Sequence, residues 1–432
     1  MQVKRYVNKK YKSSLTALYE KAKSFASRGQ KQVKEQKILM FGWELPPFNS
    51  GGLGVACYEL AESLSRRGSR ITFVLPKKQN VKLPFADLVF ASDKIEITGI
   101  DSPLKPYQTL KSYNDEVVLE ENSMYDPNLF GEVLRYGKQA AKVAKKKNFD
   151  VIHAHDWLSF PAGIEAKKIS HKPLVVHVHA TEFDRSGNGP IDQRIYNIER
   201  VGLENADRII TVSQFTKNKI AKGYGIDPNK IDVVYNGINA TKIVQTQNCF
   251  KNIKKSGKKI VLFLGRITIQ KGPDYFLKAA KKVIHFKPNT IFIMAGSGDM
   301  EKQMIQETAY LGISDKVVFT GFLSPDKLNS IYSSADVYIM PSVSEPFGIV
   351  ALEALANKTP TIISKQSGVS ETVENVLKVD FWDIDEIANK VLSVLDHKSL
   401  GQCLSDMGAA EVSNNNWDEA ATKCLQTYRK VR

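Results

Sequence analysis

Cysteine is scarce in this chain. The four present, Cys57, Cys249, Cys403 and Cys424, are scattered over 432 positions without paired spacing. That excludes a disulfide-framed scaffold and a cysteine-built zinc site, and makes a reduced, cytoplasmic setting the expectation. Long apolar runs are missing too: no stretch approaches the roughly 20 residues of a membrane-crossing helix. The basic N-terminus has no apolar core behind it, so it does not read as a secretory leader. Neither the dinucleotide fingerprint nor the Walker lysine is present.

Acidic residues are in deficit, 46 against 61 Lys and Arg, for a net charge of +15. Residues 1–37 carry eleven of the bases against Glu20 and Glu35, and so nine of the fifteen charges. Leu15, Leu18, Ala22 and Phe25 recur there at helical spacing. The plainer reading is an extension packed on the body with solvated lysines; the sharper one is peripheral contact with an anionic membrane surface. No nucleic-acid-binding motif accompanies the charge, so nucleic acid is not an expected partner.

What is there is a rhythm. A chain of this length exceeds one ordinary core, so two domains are expected. Short β-rich runs at 37–43, 70–75, 150–154, 173–178, 207–212 and 231–234 read as buried parallel strands, with helical patterns such as 54–67 and 130–147 between them. Residues 80–128 break the alternation and suggest loops or an extra hairpin. A polar, basic stretch at 246–259 reads as a linker. The alternation then restarts at 260–264, 290–295, 316–319, 336–340 and 361–363. A final amphipathic helix follows, with Trp417, Ala421, Cys424, Leu425 and Tyr428 on one face. The expected fold is α/β, two doubly wound Rossmann-like domains facing a cleft. The boundaries are a basic extension 1–36, a first domain 37–245, the linker 246–259, a second domain 260–412 and a terminal helix 413–432. Ligands in such sheets bind beyond the carboxyl ends of the strands.

The motifs fall at those ends. Ser344-Glu345-Pro346-Phe347-Gly348-Ile349-Val350 leads into a helix carrying Glu353, so two carboxylates flank the first amides of that helix. Helix N-termini bind anions and carboxylates accept hydrogen bonds from hydroxyls, which suits a ligand with a diphosphate and sugar hydroxyls. The bland alternative is one acid serving the helix dipole and one on the surface. Strand 260–264 ends in Gly265-Arg266, followed by Gln270-Lys271-Gly272-Pro273; cations beside glycines suit a diphosphate, against a solvated loop as the alternative. Ala295-Gly296-Ser297-Gly298 is a weaker turn signal. In the first domain, Gly51-Gly52-Leu53-Gly54 opens a helix and allows close approach of substrate to backbone.

His153-Ala154-His155-Asp156 and His177-Val178-His179 each place two imidazoles on one face of a strand. A metal site is the sharp alternative, but no further ligand set completes one at a familiar spacing, so no metal is expected. His153 and His177 read as buried and hydrogen-bonded within the sheet. His155, Asp156 and His179 lie nearer the strand ends and read as meeting substrate. Thr181-Glu182-Phe183-Asp184-Arg185 reads as a polar loop for a donor or acceptor sugar.

In combination these segments resemble the retaining family-4 glycosyltransferases of the GT-B architecture, over roughly residues 37–430. Gly51-Gly52-Leu53-Gly54, the histidine motifs, Tyr235-Asn236-Gly237-Ile238, Gly265-Arg266…Lys271-Gly272 and Glu345…Glu353 occur in the family's order. The first of these motifs and His153-Ala-His155-Asp156-Trp157 lean toward the glycogen and starch synthases. Those usually carry Lys and Asp where this chain has Asn49 and Val55, and they often replace the glutamate that stands here as Glu353. The resemblance implies that Arg266 and Lys271 hold a donor diphosphate, that Glu345 and Glu353 accept from the transferred sugar and the ribose, and that His179 contacts the donor sugar. Backbone at Gly265, Phe347, Gly348, Ile349 and Val350, with Gly51 and Gly52 opposite, completes the donor contacts. His155, Asp156, Asp184 and Arg185 line the acceptor side. It further implies no cofactor beyond the nucleotide-sugar co-substrate, UDP- or ADP-glucose, no metal, retention of configuration, and a glycan or other hydroxyl acceptor. A sugar-nucleotide epimerase of the same architecture and a transferase to a lipid or cell-envelope acceptor are the alternatives.

Overall fold

The structure is a computed structural model that describes residues 35–46, 51–78, 82–91, 129–187, 189–239, 250–413 and 415–432. Residues Lys37–Arg432 form one compact unit. The basic helix expected near residues 15–25, Asn49, and most of 80–128 lie outside the described residues.

Seven strands build the first lobe: β1 Gln36–Phe41, β2 Ser69–Leu75, β3 Asp87–Phe90, β4 Val151–His155, β5 Leu174–Val178, β6 Arg208–Thr211 and β7 Ile231–Val233. They form one sheet in the order β3-β2-β1-β4-β5-β6-β7. Six more build the second: β8 Lys259–Leu264, β9 Thr290–Ala295, β10 Val317–Gly321, β11 Val337–Met340, β12 Thr361–Ser364 and β13 Leu377–Val379, ordered β10-β9-β8-β11-β12-β13. Neighbouring strands run parallel. The order reverses beside β1 in one sheet and beside β8 in the other. Those are the topological switch points, where a doubly wound sheet leaves room for ligand.

Strands without polar alternation are the cause. Ile38 to Phe41 are all buried, which only a sheet covered on both faces satisfies. Leu39, Phe41, Ile152 and Val176 pack on one face of the first sheet; Ile38, Met40, Val151 and Val175 pack on the other. Each such side chain contributes about 1.5–3 kcal/mol when fully buried. The second sheet is sandwiched in the same way, and one of its clusters extends to Val212 and Ile238 of the first lobe. The helix Trp417–Arg429 turns Trp417, Ala421, Cys424 and Tyr428 into the first-lobe core.

The described residues add three details. Within 82–91, the described part of the segment expected as loops or an extra hairpin, β3 pairs with β2 in parallel. The linker region contains a short helix, Lys251–Lys255. β13 was absent from the sequence reading because it is a three-residue edge strand with Lys378 at its centre, too short to show a pattern.

Candidate active site

Second-lobe groups gather at the end of β8 and the start of the helix Ile349–Ala356. Gly265 and Arg266 follow β8 directly. Lys271 closes a short 3-10 turn, and Gly272 follows it with φ +66. A Cβ at Gly272 would lie 2.2 Å from the Pro341 carbonyl oxygen, so only glycine lets this turn press against the loop after β11. That contact delivers Lys271 to its partner: Lys271 Nζ stands 2.6 Å from Glu345 Oε2, which also accepts from Ser342 Oγ at 3.1 Å. Glu345 is buried, and its backbone is pinned by Gln366 O and the Gly368 amide. Phe347 anchors the turn in the core, and Gly348 takes a left-handed φ as the helix cap. The amides of Gly348, Ile349 and Val350 are therefore the first of the helix and lack carbonyl partners within it. One turn on, Glu353 Oε2 accepts from Tyr332 OH at 2.9 Å, and burial raises its pKa above the usual carboxylate range.

First-lobe groups gather at the ends of β4 and β5, which pair His155 with His177. This register sets four imidazoles side by side. His153 stacks on His155 and His177 on His179, each at 4.3 Å between ring centroids. His155 Nδ1 and His179 Nε2 are 2.9 Å apart, and His153 Nδ1 meets Tyr428 OH at 2.6 Å. Burial depresses all four pKa values, that of His153 to about 3, so the rings are neutral at working pH. Two groups, Cys57-His155-His179 and His153-His155-His177, have donor atoms within 4.8 Å of one another. The sheet register brings these donor atoms together, which linear spacing does not show.

The residues expected on the acceptor side are bonded within the protein. His155 is fully buried against its neighbouring rings. Asp156, at φ 56, turns its carboxylate inward to accept from the His179 amide at 2.6 Å and the Ala180 amide at 3.3 Å. Residues Glu182–Arg185 form a short helix rather than an open loop. Arg185 is committed to Glu182 and Glu199. Asp184 is fully buried and accepts from the Thr181 amide and hydroxyl, from Lys219 at 2.5 Å and from Ser344 of the second lobe at 2.6 Å. Burial opposes its charge, but Lys219, Ser344 and Thr181 outweigh that and hold its pKa low. A polar pentapeptide looks like a loop in sequence; Thr181 and Asp184 form a reciprocal capping box that makes it a helix. His179, half-buried at the end of β5, keeps a strand-end position.

Further contacts join the lobes. Ser213 Oγ donates to the Pro346 carbonyl at 2.6 Å, and Glu371 accepts from the amides of Gln214 and Phe215 at 2.8 and 2.7 Å. Ser213, Lys219, Ser342 and Glu371 carry no signal in the sequence, because isolated Ser, Lys and Glu show no pattern, and Ser344 stands in the glutamate motif without a role that the motif reveals. Glu44 carries no signal either. It lies just past β1, is buried, and its Oε1 accepts the Gly54 amide at 3.0 Å.

Two parallel-stranded, doubly wound lobes with facing strand-end sites define the GT-B architecture. A sucrose-phosphate synthase from Thermosynechococcus elongatus superposes with a TM-score of 0.73 at 20% identity, covering 92% of this chain and 99% of that one. Anabaena HepE, in a structure with UDP and glucose, superposes with a TM-score of 0.69 at 18% identity, covering 92% and 100%. The "Glycosyltransferase Family 4" model matches residues 50–242 and the "Glycosyl transferases group 1" model residues 244–410. An uncharacterized glycosyltransferase of Methanocaldococcus jannaschii is 30% identical over 415 residues, 91% of this chain and 98% of its own. A glycogen synthase of Mycobacterium tuberculosis is 27% identical over 403 residues, covering 91% and 94%. The chain belongs to the family-4 glycosyltransferases.

Proposed function

We propose that this glycosyltransferase moves a hexosyl unit from a nucleoside diphosphate sugar to an acceptor hydroxyl with retention of configuration and without a metal. The observation that carries the reading is the Lys271–Glu345 pair, set where β8, β11 and the N-terminus of helix Ile349–Ala356 converge. A cation beside a helix N-terminus stabilises the charge that grows on a departing diphosphate, the role a metal would otherwise fill. Arg266, at the end of β8, supplies a second cation.

In this reading Lys271 exchanges part of its contact with Glu345 for the diphosphate when donor arrives. Glu345 then accepts from sugar hydroxyls, and Glu353 from the ribose. His179, neutral, hydrogen-bonds the donor sugar near its anomeric carbon. The acceptor oxygen forms its bond to that carbon on the face from which the diphosphate leaves, and the departing phosphate oxygen takes the acceptor's proton. No protein nucleophile is needed. HepE, solved with UDP and glucose, and the glycogen synthase relative support a glucose nucleotide as donor and an α-glucan as acceptor. The concentration of positive charge in residues 1–37 favours a second acceptor class, a lipid or cell-envelope glycan held at a membrane surface.

The test is a screen of UDP-, ADP- and GDP-sugars for thermal shift, followed by product formation with glucans and with lipid-linked acceptors. Transfer is expected to persist in EDTA, and the product anomer, read by NMR, to match the donor. Loss of activity on chelation removes the metal-free reading, and an inverted product removes retention. Epimerised donor without acceptor establishes the isomerase alternative. Glu353→Ala is expected to raise the donor KM about tenfold with a smaller effect on kcat, because a ribose contact is made equally in ground and transition states. A fall in kcat alone removes that role.

A further inference from the structure

Glu44 belongs to none of the motifs above, yet the glycine turn is built around it. A Cβ on Gly51 would lie 3.3 Å from Glu44 Oε1, and one on Gly54 would lie 3.1 Å from its Cγ. Two glycines of the turn are therefore small because a carboxyl lies beneath them. Gly52 is different: it is exposed, and a Cβ there would meet nothing within 4 Å. That leaves the outer side of the turn open to a ligand while the inner side is filled. The N-terminus of the helix Gly52–Arg66 is an anion position. Here the protein's own carboxyl takes it, with the Gly54 amide 3.0 Å from Oε1 and the Gly51 amide also bonded to it.

Three chargeable groups face this carboxyl. Arg266 acts on it from the second lobe, Asp156 from the end of β4, and the Cys57 thiol lies on the helix just beyond the turn. We propose that Glu44 is a positioning residue for donor binding, which fixes the glycine turn from below and shares the field of Arg266 with the donor diphosphate. The inference rests on the donor-site reading given above.

Its consequence is a dependence on pH. Burial raises the Glu44 pKa to about 8; the Gly54 and Gly51 amides and Arg266 pull it down, and Asp156 pushes it up. Below pH 8 the carboxyl is neutral and its pull on Arg266 is weak. Above pH 8 it becomes an anion that attracts Arg266 and repels the diphosphate. The Cys57 thiol, raised well above its ordinary range by burial, stays protonated through this window.

The measurement is UDP affinity by calorimetry from pH 7 to pH 9.5 on the full-length wild type, Glu44→Gln and Glu44→Ala, each checked for folding by circular dichroism. Wild-type affinity is expected to fall by up to about tenfold per pH unit above pH 8, the limit for release of one proton. Glu44→Gln keeps an oxygen for the Gly54 amide, and its affinity is expected to stay flat in that range. Glu44→Ala, with the turn unsupported, is expected to bind several-fold more weakly at every pH. A Glu44→Gln profile that retains the wild-type fall overturns the proposal, as does wild-type affinity in Glu44→Ala. Failure of the wild type to bind UDP, ADP or GDP at any pH instead removes the donor-site reading, and this inference with it.

Discussion

Lys271→Ala is expected to lower the rate of glycosyl transfer by about 10²–10³-fold, the range seen when one preorganised donor to a developing negative charge is deleted. The same substitution strands Glu345. Its side chain is 7% exposed and, among the described residues, keeps Ser342 as its side-chain hydrogen-bond donor, so stability falls along with activity. The two effects separate in a double variant. Adding Glu345→Gln to Lys271→Ala removes the stranded charge and is expected to restore most of the melting temperature. Transfer stays low, because the cation at the leaving group and the carboxylate at the sugar are both missing. Recovery of transfer in the double variant would show that Lys271 serves only to neutralise Glu345, and would sink its role at the diphosphate.

Asp184→Ala has the largest expected effect on stability, a loss of about 3–5 kcal/mol, as when one partner of a buried pair is removed. The carboxylate is fully buried and gathers Thr181, Lys219 and Ser344, so its loss takes the anion away from the ammonium, which keeps Ser344 Oγ at 2.6 Å, and removes the acceptor that both hydroxyls use. Ser344 precedes Glu345 in the chain. The substitution therefore removes one of the contacts between the first lobe and the loop that carries the glutamate, and donor affinity should fall with stability. Asp184→Asn keeps the shape and one acceptor oxygen and should lie between. A melting temperature for Asp184→Ala within a degree of wild type would show that the lobes are held together elsewhere, through contacts such as those of Ser213, Glu371 and Lys219.

Much of the fold was legible in the sequence because parallel strands buried on both faces announce themselves as unbroken apolar runs. The runs at 37–43, 150–154 and 290–295 match β1, β4 and β9 to within a residue or two. Short or edge strands carry no such signal, and β3 and β13 were lost for that reason. In the site, the groups brought together by local chain geometry were readable. Glu345, Gly348 and Glu353 share one turn and one helix, and Lys271 follows a strand end by a fixed number of residues. Contacts that need two distant segments were not readable. Asp184 and Arg185 looked like ligands for a sugar because they are polar and near a strand end. Their partners Lys219, Glu199 and Ser344 lie 35, 14 and 160 residues away, and nothing in the linear pattern joins them.

By itself, then, the sequence determined that two doubly wound lobes form and that cations and carboxylates stand at their strand ends. Hydrophobic burial depends on periodicity within each segment, and periodicity is a linear property. Tertiary structure alone decided how those charged groups are used. It pairs Lys271 with Glu345, sinks Asp184 between the lobes and places Glu44 beneath its glycines. A carboxylate's role is fixed by the few groups within about 4 Å and by whether water reaches it, and only packing between distant segments sets both.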